Sequence, residues 1–445
     1  MKQKFSKILA LIMAVAMLFC VAGCGSESQS ENTGTNSGNA QGGGSGWSEI
    51  AKNIPENLKG TTITVYSWND VSDVTDAQTV IEKFTNETGI KVNWVKGTYT
   101  NYATEIASKV AAKEATDIIR LKDLNLGLMS VLQPLDDIKT FDVNDSAWDA
   151  NVKSFYTVNG KCYGINMANT LIQQPKILWY NRNLISKYEL EDPYALWKKG
   201  EWTYEKFVQV CEDFIDEASS ENLAWSTLRF SDVADMMGAG AVLYKDGRFV
   251  SNMNDANLLK GWQMFAELRD KDVVNDTIYE RDRFGSGKIL FFSDSTISGR
   301  RTHYYWPDLK STGSLGCVPM PKVDGFDYLQ EFTEYEAYGV PKTAKNAEAA
   351  YYFLRYYLDG ENYDENTFFC DATILEVYKW CMEQKNNFIN CDEVVLTEDT
   401  GLTSAVFKAN MKGQKASQVN TKLNSYKSVV DAAVQSANGR LDKIK

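Results

Sequence analysis

The sequence has few of the residues from which metal sites and hydrolytic active sites are commonly built. It contains one histidine, His303, and neither a Cys-x-x-Cys nor a His-x-x-x-His pair. Transition metals are usually held by such groups, so we expect no metal and no cofactor. The chain also lacks a Gly-x-Ser-x-Gly motif, and a single histidine leaves little general-base chemistry of that kind. These absences argue against catalysis, although 59 acidic residues keep paired carboxylates possible.

The chain also lacks an excess of positive charge. Its formal net charge is −12, and it becomes −15 if the three lysines near the N-terminus are removed with a leader. Nucleic acids and anionic lipid surfaces are bound mainly through clustered lysine and arginine. We therefore expect neither to be the ligand.

The N-terminus has the layout of a bacterial lipoprotein signal. Three lysines precede an unbroken apolar run over Ile8–Ala22, which is short for a membrane span. Ala22 and Gly23 then precede Cys24, as in a lipobox, where the cysteine is acylated. We predict a signal over residues 1–23 and a lipid on Cys24, which places the protein outside the cytoplasm, anchored to the cell membrane.

The next segment has the composition of a tether. Of the 22 residues from Gly25 to Gly46, 17 are Gly, Ser, Asn or Thr, too polar to build a core. We predict a flexible tether over residues 24–46. The 399 residues from Trp47 onward exceed what one hydrophobic core usually serves, so two lobes are expected.

Six cysteines remain after Cys20 and Cys24 are set aside, and their spacing leaves two interpretations open. An even number in an exported protein is compatible with a disulfide, most plausibly among Cys370, Cys381 and Cys391. Because a large domain does not need such bridges, buried free thiols are the other possibility.

Hydrophobic periodicity predicts a β-α-β-α-β unit near the start of the folded part. Its strands are predicted at Thr61–Tyr66, Ile90–Trp94 and Asp117–Ile119, and its helices follow Asp76 and Tyr102. Such units form parallel sheets that bind ligands at the carboxyl ends of their strands. Further predictions are a hairpin turn at Asn159-Gly160, a buried strand at Ile177–Tyr180, helices after Thr203 and over Ala347–Leu358, and a hinge strand at Pro319-Met320-Pro321.

Several segments together resemble the extracellular solute-binding proteins of bacterial ABC importers, in the carbohydrate-binding family that includes maltodextrin-binding protein. The resemblance is carried by the stretches Phe84 to Val92, Asn159 to Gly164, Trp179 to Leu184, Glu201 to Phe207, Gly287 to Phe291 and Val318 to Pro321. Two departures from the family's pattern, at Ala115-Thr116-Asp117 and Ile289-Leu290, indicate a divergent subgroup. The identity of the ligand therefore does not transfer.

The resemblance implies an α/β protein with a two-lobed periplasmic-binding-protein-like fold, each lobe a mainly parallel sheet flanked by helices, with the ligand cleft between them. Residues 47–164 are predicted to form the first lobe and 165–320 the second. Residues 321–375 would return to the first lobe, and the helical part 376–445 would belong mainly to the second.

The implied function is capture of a sugar, most plausibly an oligosaccharide, by closing lobes that deliver it to the transmembrane subunits of a permease. The protein is expected to act as a monomer held to the membrane by its lipid. Aromatic loops rich in Asp and Asn favour a neutral polyol, since an anion site would use clustered Arg or Lys. The alternatives are an organic anion, a peptide or a ferric complex as cargo, or a surface carbohydrate-active enzyme.

Candidate ligand-binding residues lie in loops at predicted strand ends, where aromatic rings can stack on a sugar and planar polar groups can bind its hydroxyls. In the first lobe they are Trp68, Asn69, Asp70, Tyr99, Arg120 and Asp123; in the second, Trp225, Arg229, Asp294 and Trp306. Trp179 and Tyr180 are predicted to be core residues. Trp202 precedes a helix and is predicted to pack on it as a hydrophobic staple.

Overall fold

A computed structural model provides the structure of the protein. It describes residues 53–122, 124–227, 231–274, 280–331, 335–384, 387–388, 390–392, 394–396, 411 and 413–444. Of the residues predicted above to be functional, Cys24, Asp123 and Arg229 lie outside the described residues, as do the predicted signal and tether.

Two four-stranded sheets organise the fold. The first has the order β13-β3-β1-β2, and the second has the order β11-β6-β10-β7. The strands of the first sheet are β1 (Thr62–Ser67), β2 (Lys91–Lys96), β3 (Ile118–Leu121) and β13 (Ala337–Gly339). Those of the second are β6 (Lys176–Asn181), β7 (Leu223–Ser226), β10 (Ile289–Ser295) and β11 (Leu315–Pro319).

Three short two-stranded ribbons accompany the sheets. Their strands are β4 (Thr157–Val158) with β5 (Lys161–Cys162), β8 (Val242–Lys245) with β9 (Arg248–Ser251), and β12 (Gln330–Glu331) with β14 (Asn387–Phe388). The first is the predicted hairpin, in which Asn159 and Gly160 both take positive φ angles, 52° and 77°. Two positive φ angles in sequence are what a tight hairpin turn requires.

Helices flank both sheets. In chain order they are α1 (Ala77–Thr88), α2 (Tyr102–Ala111), α3 (Leu126–Met129), α4 (Ala150–Phe155), α5 (Arg182–Lys187), α6 (Pro193–Lys199), α7 (Tyr204–Glu217), α8 (Asp232–Asp235), α9 (Ala256–Asp270), α10 (Arg281–Gly285), α11 (Pro307–Ser311), α12 (Ala347–Tyr357), α13 (Glu365–Phe368), α14 (Ala372–Met382) and α15 (Ala416–Leu441). None of the helices within these described ranges is both long and apolar enough to cross a membrane.

The local signals in the sequence account for the helix ends. Helix α1 buries the predicted stripe of Val80 and Phe84 and stops at Gly89, whose φ of 73° suits a glycine. At α7, the Thr203 hydroxyl accepts a hydrogen bond from the Lys206 amide at 3.2 Å. The ring centroids of Trp202 and Phe207 lie 6.1 Å apart, which confirms the predicted staple.

The strand directions differ between the two sheets. In the first, β1 runs parallel to β2 and β3, and β13 alone is antiparallel. In the second, β10 is parallel to β7, whereas β6 is antiparallel to both β10 and β11. The prediction of a mainly parallel sheet is therefore wrong for the second sheet, which is mixed. Its strand β6 pairs Lys176 with Ser295, so it starts at the edge where β10 ends.

The six cysteines in the described part of the chain are free thiols, and five of them are buried. The interpretation as buried thiols thus holds over the disulfide alternative. Burial raises the pKa of Cys162 to about 11 and that of Cys381 to about 12. These thiols remain protonated at neutral pH and act as small apolar side chains.

Candidate ligand-binding cleft

The carboxyl ends of the parallel strands define the candidate site. In the first sheet these ends are Ser67, Lys96 and Leu121, and in the second they are Ser226 and Ser295. Ligands of open α/β sheets bind outside such ends, because the loops there leave a crevice. The chain passes from the first sheet to the second before β6 and returns before β13. We call these two crossing segments, around Gln174 and Glu336, the cleft floor.

A hydrogen-bonded chain of buried side chains crosses the cleft floor. Arg120 of β3 donates to both carboxylate oxygens of Glu336, and Gln174 donates to the same carboxylate. The Ser295 hydroxyl at the end of β10 donates to Gln174 Oε1 at 3.1 Å. Burial alone lowers the pKa of Arg120, but the Glu336 carboxylate raises it well above its ordinary value. Arg120 is therefore a permanent cation that links the first sheet to the floor.

Aromatic and cationic side chains meet at the end of the first sheet. Trp68 packs edge-on against Tyr102 and Tyr99, with centroid distances of 5.1 and 6.3 Å. The Arg120 guanidinium carbon lies 4.4 Å from the Trp68 ring centroid, and Lys122 Nζ lies 4.9 Å from that of Tyr99. Trp68 is 7% exposed and Tyr99 is 56% exposed. The structure thus brings three predicted residues together, and Tyr99 is the most exposed of them.

Asn69 and Asp70 shape the loop that carries Trp68. The Asn69 carbonyl oxygen accepts a hydrogen bond from Trp94 Nε1 at 3.0 Å. Asp70 caps a short 3₁₀ turn, where its carboxylate accepts from the Ser72 amide and hydroxyl. Those hydrogen bonds lower the pKa of Asp70. The contacts of both residues are local and hold the loop in place.

On the second sheet, Asp294 lies at the end of β10 and is 4% exposed. Its Oδ2 lies 3.9 Å from Arg281 Nη2 and accepts a 3.4 Å hydrogen bond from Ser298. The Arg281 guanidinium in turn stacks on Tyr305, with 3.6 Å between its carbon and the ring centroid.

A groove of about 790 Å³ opens beside this Asp294–Arg281–Tyr305 stack. It is lined by Glu280, Arg281, Asp282, Arg283, Gly285, Tyr304, Tyr305, Trp306, Pro307 and Asp308. Tyr304 is 71% exposed at its mouth. The Glu280 amide donates to the Ser226 hydroxyl at 3.2 Å, which ties the groove to the end of β7.

Two predicted aromatic platforms lie instead in the core. Trp225 is fully buried between Phe207 and Phe265, at centroid distances of 5.3 and 6.3 Å. Trp306 packs on Phe284 at 4.6 Å and forms the back of the groove. Neither ring offers an open face to a sugar in this conformation, because each is covered by neighbouring aromatic side chains. We leave both out of the site proposed below.

A second buried polar cluster holds the end of the second sheet together. Lys176 Nζ lies 2.6 Å from Asp232 Oδ1 and 3.8 Å from Asp235 Oδ2. The Ser293 hydroxyl donates to Asp232 at 2.6 Å. This cluster attaches α8 to β6 and β10, and so fixes the wall of the cleft next to the floor. Among the described residues, no group of three or more His, Cys, Asp or Glu side chains is placed to hold a metal ion.

The sequence analysis missed several residues that surround its candidates in the structure. Gln174 and Glu336 of the floor, and Arg281 and Tyr305 of the groove, were not among its candidates. The pair Tyr304-Tyr305 before Trp306 and the paired amides Gln173-Gln174 before β6 were usable signals. Glu336 carries no local signal, since its partner Arg120 is 216 residues away.

Two sheets joined by crossing segments are the arrangement found in two-lobed periplasmic-binding-protein-like folds. The chain belongs to the family of bacterial extracellular solute-binding proteins, whose model matches residues 79–367. Its resemblance to solute-binding proteins and its two-lobed α/β fold are thereby confirmed. The proteins of this family act outside the cytoplasm, where they bind solutes. No curated protein sequence matches the chain.

Solved structures share the fold at low sequence identity. The GacH receptor of Streptomyces glaucescens, solved unliganded and with acarbose, has a TM-score of 0.63 at 15% identity, covering 83% of this chain and 98% of that one. An ABC substrate-binding protein of Listeria monocytogenes in complex with cycloalternan has a TM-score of 0.55 at 17% identity, covering 86% and 98%. The maltose-bound protein of T. maritima has a TM-score of 0.58 at 14% identity, covering 83% and 100%.

Proposed function

We propose that this protein is the substrate-binding component of an ABC importer, which captures an oligosaccharide between its lobes and delivers it to the permease. The observation that carries the proposal is the cluster of Tyr99, Trp68 and Arg120 at the end of the first sheet. Ring faces pack on the C–H face of a sugar, and a guanidinium donates to its hydroxyls. Of the three similar proteins described above, one was solved with acarbose, one with cycloalternan and one with maltose, which supports a saccharide ligand.

The proposed binding set combines residues from both sides of the cleft. Tyr99, Trp68, Arg120, Asn69 and Asp70 belong to the first lobe, and Asp294 to the second. In the sequence, Asp123 follows β3 and Arg229 follows β7. Both stay in the proposed set. The lobes close on the sugar as a monomer, and no bond of the sugar is broken.

A thermal-shift screen with mono- and oligosaccharides, peptides and organic anions tests the cargo. At a hundredfold excess over the dissociation constant, a ligand stabilises the folded state by about 2.7 kcal/mol, which raises the melting temperature. We expect stabilisation by an oligosaccharide that is recovered unshortened after incubation. Stabilisation by peptides or simple organic anions alone would refute the sugar proposal, and release of shortened sugars would restore the enzyme alternative.

We further propose that a lipid on Cys24 anchors the protein and that residues 24–46 tether the folded part above the membrane. The lipobox pattern and the polar composition of the tether support this. In a detergent partition of cell fractions, the wild-type protein should enter the detergent phase and the Cys24→Ser variant should not. A Cys20→Ser variant is the matched control and should behave as wild type. Equal partition of Cys24→Ser and wild type would contradict the anchor.

A further inference from the structure

A second concave pocket lies beside the edge strand of the second sheet. It opens between α6 and α14, which both pack on β11, the strand at the end of that sheet. Its volume is about 520 Å³, within the range of about 300–1,000 Å³ that is usual for ligand pockets. Of the described residues that line it, none belongs to the binding set proposed for the cleft. We call it the flank pocket.

Two tryptophans form the apolar walls of the flank pocket. Trp197 of α6 and Trp380 of α14 are half-buried, their ring centroids lie 5.7 Å apart and their planes meet at 82°. Tyr194 packs on Trp197 at 5.6 Å, and Tyr328 packs on Trp380 at 4.6 Å. The two indoles are therefore held in place by neighbouring rings while they still line an open cavity. In this they differ from Trp225, which its neighbours cover completely.

The charged side chains of the flank pocket balance each other. Two lysines and two glutamates line it: Lys198, Lys379, Glu376 and Glu383. The Glu376 carboxylate accepts hydrogen bonds from Lys198 Nζ and from the Tyr194 hydroxyl. A charged ligand would meet as many like charges here as opposite ones, so its charge would gain little. Hydroxyl groups, by contrast, can donate to the carboxylates and accept from the ammonium groups.

We propose that the flank pocket is a second carbohydrate site, which binds a neutral saccharide chain outside the cleft. An indole ring packs on the C–H face of a sugar ring, and the surrounding glutamates and lysines bind its hydroxyls. A purely apolar ligand would displace water from four charged groups without replacing the lost hydrogen bonds. The site would hold the protein on a polymeric sugar while the cleft takes up a soluble one, a role beyond the proposed function.

Affinity electrophoresis of the wild-type protein tests the proposal. Native gels contain starch, xylan, glucomannan or the acidic polymer polygalacturonate, and the mobility is compared with that in a gel without polymer. We expect at least one neutral polysaccharide to retard the protein and polygalacturonate to leave its mobility unchanged. Retardation by none of the neutral polymers, or by polygalacturonate alone, would overturn the inference.

Variants assign the retardation to the flank pocket. Trp380→Ala should weaken binding of the retarding polymer at least tenfold, Trp380→Phe should keep part of it, and Glu383→Ala should weaken it at least threefold. Tyr426→Ala is the matched control, because Lys422 Nζ lies 5.2 Å from the Tyr426 ring, much as Lys198 Nζ lies 5.5 Å from that of Trp197. Unchanged retardation of Trp380→Ala would overturn the inference. If Trp380→Ala does not fold, unchanged retardation of both Trp380→Phe and Glu383→Ala would do so.

The flank pocket and the cleft are told apart by a cleft variant. Tyr99→Ala should be retarded as much as wild type, because Tyr99 belongs to the cleft. Retardation lost in Tyr99→Ala but kept in Trp380→Ala would assign the polymer to the cleft and overturn the inference, while the proposed function stands. If Trp380→Ala binds no oligosaccharide in calorimetry although wild type is retarded, the proposed function fails and the flank site stands. A dimer that Trp380→Ala dissociates in sedimentation would assign the pocket to self-association and overturn the inference.

Discussion

At the scale of single residues, the aromatic rings at the cleft differ in how far they are exposed to a ligand and how far they pack against the rest of the protein. Tyr99 is exposed and has Lys122 over its face, whereas Trp68 is nearly buried against Tyr102. We therefore expect Trp68→Ala to lower the stability of the fold as well as sugar binding. Removing a large buried ring leaves a cavity, which costs about 3–5 kcal/mol of folding free energy. Because Trp68→Ala changes stability together with binding, Tyr99 is the better probe of binding.

We expect Tyr99→Ala to weaken sugar binding by about 10- to 100-fold with little change in melting temperature, because a stacking face is lost and no core is opened. Calorimetry and thermal melting measure the two quantities. Tyr426→Ala is the matched control, since Lys422 Nζ lies 5.2 Å from the Tyr426 centroid in a similar pair on α15. Binding by Tyr99→Ala within twofold of wild type would remove Tyr99 from the site.

His303 makes stability depend on acid pH. Burial lowers its pKa from 6.5 to about 3, and the nearby Lys310, Arg300 and Arg281 contribute. Below pH 6.5 the His303 imidazole is protonated in the unfolded chain but stays neutral in the folded protein. The free energy of unfolding therefore falls as the pH falls from 6.5 towards 3. Between pH 6.5 and 4.5 this costs about 2–3 kcal/mol. Urea unfolding at pH 6.5 and at pH 4.5 measures this. The free energy of unfolding should fall by about 2–3 kcal/mol less in His303→Gln than in wild type. An equal fall in both proteins would contradict the lowered pKa of His303.

At the scale of elements, helix packing depends on where small residues lie. Gly261 of α9 faces α8, and a Cβ placed on it would come within 2.4 Å of Ala234 Cα. That neighbour is backbone and cannot move aside by rotating. Gly439 of α15 has nothing within 4 Å of the same position. The two glycines lie in helices but have opposite structural roles.

We expect Gly261→Ala to destabilise the protein by about 1–3 kcal/mol, because the added methyl forces α8 and α9 apart. Gly439→Ala, the matched control, should stabilise by about 0.5–1 kcal/mol, since alanine favours the helix and meets no clash. Urea unfolding of the two variants measures both values. A Gly261→Ala variant as stable as wild type would show that the α8–α9 packing can adjust.

At the scale of the whole molecule, the buried Arg120–Glu336 pair joins β3 to the crossing segment that leads into β13. Glu336→Gln removes the buried carboxylate that pairs with the Arg120 guanidinium, so we expect a loss of about 3–5 kcal/mol in stability. The exposed pair Lys161–Asp137 is the control, and Asp137→Asn should cost less than about 1 kcal/mol. Similar losses in both variants would contradict the role given to Glu336.

Closure of the lobes should be visible in solution. We expect small-angle X-ray scattering to show a smaller radius of gyration with saturating ligand, because the lobes rotate about the crossing segments. A sugar that gives no thermal shift serves as the control and should leave the profile unchanged. An identical profile with and without the bound ligand would argue against a hinge.

Much of the fold could be predicted because its signals are local. The stripe of Val80 and Phe84, the stop at Gly89 and the turn at Asn159-Gly160 each depend on residues a few positions apart. The predicted ends of the first three strands also placed Trp68, Tyr99 and Arg120 close together, although Arg120 lies within β3 and not in the loop that follows it. Periodicity, capping and turn chemistry act within a few residues, so one sequence suffices to recognise them.

The nature of the cleft was decided by the tertiary structure alone. A tryptophan at a strand end can be a platform or a core residue, and distant phenylalanines place Trp225 and Trp306 in the core. Arg300 reads in sequence as one more surface arginine, yet the folded chain buries it fully, with its Nη2 on the Ile172 carbonyl oxygen and its guanidinium 5.0 Å from the Phe368 ring. Burial and charge balance are sums over residues far apart in sequence, and only the folded chain brings those residues together.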